Sequence, residues 1–447
     1  MIKIRVAKTE KMTIFTQLIC VSIILLAYIF SKNLMYLSGF IGLIFILSPI
    51  KIEQKFSLMF FLLPFTVIFT ISKEKTSIFM FLRLAMIFSG LTTIKFKINK
   101  FFLYVGLILL STWCMCISSV FGTLYYVRLF NIILWMLIGF IMQISLTSDT
   151  ISPVSNSLCN GTILSSIIGM NLKFIPNLEK EINSFSNIGY SGSKYSRFIG
   201  LWNDPNMFTV FICMSLWVLF MEYDKKRISL TTFMIKSLII TFFGVITMSK
   251  SCILLIIIFW LYVIISKSSI GIIPKFMICL VVCCAALYFL SVNTDWLENV
   301  LYRFRGGKQR ADINSITTNR SLIWKMYFDS LNNRGTWLFG NGLNCVTPGF
   351  RAAHNTLLQC IYNLGILGLI IYVLSFIGMF KQTPINLKID SKKYFHGTMA
   401  LTSILLTLLF LDGMFLELFY YMFPLTFIYI KNYKQNSGIL INDKQPV

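Results

Sequence analysis

Three segments carry side chains that could do chemistry together. The first is RFIGLWNDPNMFTVFI at 197–212, where Asn203 or Asp204 suits a helix N-cap and Pro205 the first helical position. A helix starting there presents free N–H groups and the positive end of its dipole, and both favour an anion. Arg197 stands just before it, and Asn206 is in its first turn. The second is TNRSLIWKMYFDSL at 318–331. Thr318 or Asn319 would cap it, and Leu322, Ile323, Met326, Tyr327 and Leu331 recur at helical spacing, which predicts an amphipathic helix along a membrane surface. Arg320 falls in its first turn, where the dipole disfavours a cation, so an anionic partner is expected. The third is GTWLFGNGLNCVTPGFRAAHNTLLQ at 335–359. Its glycines 335, 340, 342 and 349 predict a tight loop that brings backbone close to another group, and a strongly apolar helix follows. His354 then stands at the amino end of that helix, next to Asn355 and three residues after Arg351. The helix end and the arginine favour the neutral imidazole, the form that accepts a proton. Taken singly, each segment is explained as well by a capped helix, a snorkelling arginine or a capping histidine.

Other chemistry has less support. The outer side offers no paired histidines, no Asp-x-Asp pattern and no ligand-spaced cluster, so no metal site is expected. Glu179 and Glu181 sit among Lys173 and Lys180 and read as a solvated face. Asp412 and Glu417 are functional candidates as acidic residues near membrane depth, with exposure at a helix end the favoured reading; Arg83, Arg128 and Lys236 are candidates inside apolar spans, of which Arg128 and Lys236 could snorkel. Of the eleven cysteines only Cys345 lies clearly in an outer loop, so no disulfide framework follows.

These segments hang on a strongly apolar chain of 447 residues, 56% hydrophobic and only 13% charged. A soluble domain carries about 25% charged residues, and the disordered, collagenous and disulfide-rich classes need other compositions. Windows of about 20 apolar residues mark candidate spans at 13–30, 34–50, 56–72, 77–94, 101–121, 125–145, 152–171, 201–221, 228–248, 251–266, 275–292, 355–380, 395–411 and 414–430. The polar stretch 152–171 reads either as a span or as a re-entrant or interfacial segment. Lys+Arg number 40 against Asp+Glu 17, a net charge of +23. Nucleic-acid binding is the usual reading of such a balance. Here most of the excess falls in alternate short loops, among them Lys51 and Lys55, Lys95 to Lys100, and Lys225 to Arg227, which places both termini in the cytoplasm.

The expected fold is all-α: a polytopic transmembrane bundle of about 12–14 spans with a large, partly helical outer loop. Residues 1–171 would form the N-terminal helices, 172–200 a first outer loop, 201–292 the central helices, 293–354 the large outer loop, and 355–447 the C-terminal helices and a short cytoplasmic tail. The large loop holds eight basic residues against four acidic ones. The three segments then share one side of the membrane. Two helix amino ends and several arginines suit the charge that develops on a lipid-linked pyrophosphate leaving group, and a base suits a hydroxyl acceptor.

At these residues the chain resembles the O-antigen polymerase and ligase family of bacterial membrane glycosyltransferases. The likeness rests on RFIGLWNDPN at 197–206, TMSKS at 247–251, NRSLIW at 319–324, FGNGLN at 339–344 and HNTLLQCIYNLGILGL at 354–369. It covers 197–380; the first half matches only as a row of apolar helices. The resemblance implies that His354 activates the acceptor and that Arg197 and Arg320 hold the pyrophosphate, with Asn203, Asn206, Lys250, Arg351 and Asn355 around the substrate. Asp204 interrupts the family's Asn-Pro-Asn, and Lys250 replaces an arginine, which keeps the charge without the bidentate fork. The implied reaction is transfer of sugar from undecaprenyl pyrophosphate at the periplasmic face of the inner membrane, with neither metal nor cofactor. The expected partners are the lipid-linked oligosaccharide, the bilayer and a chain-length regulator protein, not nucleic acid. Two long outer loops suit two bulky lipid-linked oligosaccharides, which favours the polymerase over the ligase that acts on lipid A-core. A flippase for the same lipids is the rival of another class. It should show two similar halves, and no repeat links 1–220 to 221–447.

Overall fold

Apolar runs become helices because a helix pairs its interior N–H and C=O groups within the segment. The computed structural model describes residues 2–30, 34–66, 68–69, 77–93, 113, 126–147, 150–185, 198–202, 204–266, 320–343, 348–350, 352–381, 395–410 and 417–432. Every regular element among them is a helix, and no strand occurs among the described residues. In chain order these are α1 (Ile2–Phe30), α2 (Leu34–Leu47), α3 (Ile52–Leu62), α4 (Ile78–Thr93), α5 (Tyr126–Ser145), α6 (Ser152–Met170), α7 (Pro176–Phe185), α8 (Pro205–Asp224), α9 (Leu230–Ile246), α10 (Lys250–Ile265), α11 (Arg320–Arg334), α12 (Thr356–Lys381), α13 (Phe395–Phe410) and α14 (Glu417–Asn432). Helices stand at all the expected spans except 101–121 and 275–292, which lie outside the described residues apart from Trp113. The 56–72 span is shorter than expected, since α3 gives way at Leu63 to a 3-10 turn that contains Pro64. Part of the 172–200 loop is helical, as α7. Among the described residues two helices, Pro205–Asp224 and Thr356–Gly378, are long and apolar enough to cross a membrane.

The centre of the bundle is α8, buried along its length and packed on α6, α9, α10, α13 and α14. The most extensive helix pairing among the described residues is α3 on α6. A Cβ at Gly161 would lie 2.2 Å from the Phe61 carbonyl oxygen, so the two backbones touch. This explains the polar composition of 152–171. It is one helix of 19 residues whose small polar side chains face inward. Gln17 Nε2 donates to Ser157 Oγ (3.0 Å), Ser215 Oγ to Thr162 Oγ1 (3.1 Å), and Ser155 bonds Tyr429 (2.6 Å). An interior position, not a re-entrant break, accounts for its polarity.

Polar groups are buried among the apolar core, and a number of large apolar side chains are exposed. Phe15 and Phe30 on α1, Phe40 on α2, Phe88 on α4, Ile265 on α10 and Ile370 on α12 are exposed. Two expectations about charged residues are corrected. Glu417 is no exposed helix end: it is buried and ion-paired with buried Arg83, whose Nε donates to Glu417 Oε1 at 2.7 Å. Asp412 lies outside the described residues. Lys55 is not in an exposed loop but on α3, buried and donating to Ser89 on α4. Glu222, on α8, is buried as well, and accepts from Ser152, Tyr429 and Arg227.

Candidate functional site

The amphipathic stretch after Arg320 forms α11, closed at its end by Gly335 at φ +63°. Gly335 N donates to Asn332 O and Thr336 N to Leu331 O, both at 3.2 Å, the pairing that a left-handed residue after a helix allows. Only part of the expected apolar stripe is buried, and it faces protein. Ile323, Tyr327 and Leu331 pack on Ala353, Leu358 and Tyr362, while Leu322 and Met326 are exposed. The five positions span too wide an arc for one contact, so the neighbouring helix takes the 323/327/331 row.

The bonds between α11 with the loop after it and α12 with the turn before it advance in the same direction. Trp324 Nε1 donates to Ala353 O (2.9 Å), Tyr327 OH to Gln359 Oε1 (3.4 Å), Ser330 bonds Tyr362 OH (3.5 Å), and Ile366 N donates to Trp337 O (2.8 Å). The two helices therefore lie parallel, with their amino ends together. Arg320 opens α11 one turn before Trp324, about 6 Å along the axis at 1.5 Å per residue, and His354 follows Ala353. Both are partly buried. Paired positive dipole ends with a guanidinium make a local field suited to an anion. His354 holds φ +50°, uncommon outside glycine, in the turn before α12. Asn355, expected on the substrate, is the cap of α12, with Leu358 N donating to its Oδ1 at 3.1 Å.

The glycine loop does approach another backbone, and the group it approaches is α12. That helix is broken at Gly365 (φ +72°, ψ 178°). A Cβ on Gly340 would lie 2.4 Å from Gly365 N, and one on Gly365 would lie 2.1 Å from Leu338 O. Asn341 N donates to Tyr362 O and Gly342 N to Asn363 O, both at 2.9 Å. Trp113 Nε1 donates to Leu364 O (2.8 Å) and its ring stacks on Phe339.

A second group gathers where α8 and α10 begin. Asp204 is the cap of α8, and its Oδ1 accepts from Asn206 N (2.6 Å) and Met207 N (3.1 Å). The expectation that this amino end leaves free N–H groups for a substrate anion is therefore corrected: a carboxylate of the chain itself sits on them. Asn206 Oδ1 accepts from Ser249 Oγ (2.8 Å), and Ser249 caps α10. This joins the Asn-Asp-Pro-Asn and Thr-Met-Ser-Lys-Ser segments in one buried polar turn, in which Met248 holds φ +51° and Lys250 is the first residue of α10. Gly200 (φ +60°), in the turn before α8, packs against α6, where a Cβ on Gly169 would be 2.6 Å from its carbonyl.

Arg320 and His354 are thus brought to one end of a helix pair, and Asn206 and Lys250 to one turn. Arg197, Asn203 and Arg351 lie outside the described residues. The first group rests on a small core of its own and the second on the main core, with α12 contributing to both through Tyr362 and Leu364. Asn341 and Gly365 were not singled out from the sequence. The signals were present: a polar residue between two glycines, and a glycine within an apolar helix. Compared with family models, with curated proteins and with solved structures, the chain matches none of them.

Proposed function

We infer that the chain is a polytopic membrane glycosyltransferase that joins undecaprenyl-pyrophosphate-linked oligosaccharide units at the periplasmic face of the bacterial inner membrane, as O-antigen polymerases do. The observation that carries this reading is the parallel register of α11 and α12, which puts Arg320 and His354 at one end of a helix pair. The exposed apolar faces around buried Arg83, Glu222 and Glu417 suit a lipid surrounding.

In the proposed reaction an acceptor hydroxyl oxygen bonds to the anomeric carbon of the donor sugar. The bond from that carbon to the pyrophosphate oxygen breaks, and its electron pair leaves with undecaprenyl pyrophosphate. His354 takes the hydroxyl proton, and Arg320 with the two helix ends stabilises the charge growing on the leaving group. Arg197 would add a second guanidinium. The turn at Asn206 and Lys250 would line the approach of the donor.

His354→Ala in cells lacking the native gene should leave the protein in the membrane and abolish long polysaccharide, and Arg320→Ala should do the same. Unchanged chain length with His354→Ala refutes the reading of the base. In a deletion strain, lipopolysaccharide carrying core plus a single repeat supports the polymerase. Bare core with accumulated lipid-linked polymer overturns it in favour of the ligase.

A further inference from the structure

An uninterrupted α12 would carry hydrogen bonds from Ile366 N to Tyr362 O, from Leu367 N to Asn363 O and from Gly368 N to Leu364 O. Gly365 breaks all three. The loop after α11, together with Trp113, serves five of these six groups. Ile366 N donates to Trp337 O (2.8 Å) and Leu367 N to Leu338 O (3.3 Å), while the freed Tyr362 and Asn363 carbonyls accept from Asn341 N and Gly342 N and the Leu364 carbonyl from Trp113 Nε1. A slip of α11 by one residue along α12 would mismatch the four main-chain bonds together, so the pairing has one discrete register.

Asn341 sits at the middle of this splice, 1% exposed. Its Oδ1 accepts from Thr336 Oγ1 (3.1 Å) and Arg334 Nη1 (3.5 Å), and its Nδ2 donates to Tyr362 O (3.1 Å). The site therefore needs a group that accepts on one side and donates on the other, which an amide does and a carboxylate cannot. A buried chain of side chains continues from the splice along the helix pair: Gln359 Nε2 donates to Asn363 Oδ1 (3.2 Å), and Tyr327 OH to Gln359 Oε1 (3.4 Å).

We propose that Asn341 is a positioning residue: by locking the 336–342 loop into the break of α12 it sets the register of α11, and so the approach of Arg320 to His354. The proposal rests on the glycosyltransferase reading above and adds a residue that touches no substrate.

The test uses the full-length protein in lipid nanodiscs, with Asn341→Asp and Asn341→Ala beside the parent. Amide hydrogen exchange over 362–367 should quicken by about tenfold or more, with 205–224 unchanged. With a synthetic undecaprenyl-pyrophosphate-linked repeat unit as probe, kcat should fall about 100-fold while KM moves less than about threefold, the mark of misplaced groups rather than lost binding. Thr336→Val, which removes one donor to Asn341 and keeps the side-chain shape, should shift both readouts the same way by less, and it serves if the Asn341 variants do not accumulate. Unchanged exchange at 362–367, or faster exchange spreading through 205–224, overturns the register claim. Faster local exchange with unchanged kcat overturns the positioning role. Full activity of His354→Ala overturns the functional reading instead, and leaves the exchange result to decide the register.

Discussion

The Arg83–Glu417 pair joins α4 in the first half of the chain to α14 at its end, and its removal should divide the molecule's stability in a characteristic way. Both residues are 6% exposed. Both guanidinium–carboxylate contacts are made, and Tyr421 OH donates to Glu417 Oε1 at 2.7 Å. Arg83 also lies over the Phe79 and Trp135 rings. Taking away one partner leaves a dehydrated charge, which costs about 3–5 kcal/mol, or roughly two to three and a half orders of magnitude in the folded fraction. Arg83→Met should lose that much, and Glu417→Met that much together with the cost of the stranded Tyr421 hydroxyl. In the double variant no charge is stranded, and the apolar replacement should lie within about 1–2 kcal/mol of the parent once the phenol is dealt with. Tyr421, left without its acceptor, adds about 1–3 kcal/mol, and Tyr421→Phe in the same protein should recover it. Unfolding of the purified protein in mixed micelles by a denaturing detergent, followed by tryptophan fluorescence, reads all four; Trp135 beside Arg83 reports locally. Single losses below about 1 kcal/mol, the range of exposed pairs, or a double loss equal to the sum of the singles, would refute the buried clamp.

Three further outcomes follow from packing, capping and chemistry. Gly161→Ala places a Cβ 2.2 Å from the Phe61 carbonyl, so α3 and α6 must separate; unfolding should show a loss of about 1–3 kcal/mol or more, and an unchanged midpoint would contradict the close approach. Asp204→Ala removes the two side-chain bonds at the start of α8 and should cost about 1 kcal/mol in the same assay, with Asp204→Asn recovering most of it. Polymer formation in membranes treated with EDTA should continue at the untreated rate if arginines and helix ends serve the pyrophosphate, and a loss restored by a divalent cation would contradict that chemistry.

Helix positions were legible because hydropathy and helix formation ask the same thing of a segment: a continuous apolar run with its polar backbone closed internally. The ends were legible where capping chemistry is local, as at Asp204–Pro205; at α12 the sequence placed His354 at the cap and the structure gives that role to Asn355, one residue later. The exceptions come from partners distant in sequence. Lys55 and Glu417 look like residues at helix ends, and Ser89 for the one and Arg83 with Tyr421 for the other explain their burial. The polarity of 152–171 likewise looked like weakness in a membrane span, and it is the mark of a helix surrounded by other helices.

The candidate site was legible as pieces and not as an arrangement. Spacing put Arg320 and His354 at helix starts, but a helix start faces any direction until a register is set. That register comes from main-chain bonds between 337–342 and 362–367, and backbone groups leave no trace in side-chain pattern beyond the glycines that let them meet. Gly340 was read correctly as a close backbone approach and without its object, while Gly335 meets nothing within 4 Å and closes α11 instead. Gly365 identifies the object, because a residue at φ +72° in the middle of an apolar helix frees carbonyls that must be bonded elsewhere. In a lipid surrounding the demand is stricter, since water cannot serve. A glycine inside an apolar helix and a glycine-flanked asparagine in the preceding loop are therefore two halves of one structural statement: the loop belongs in the break.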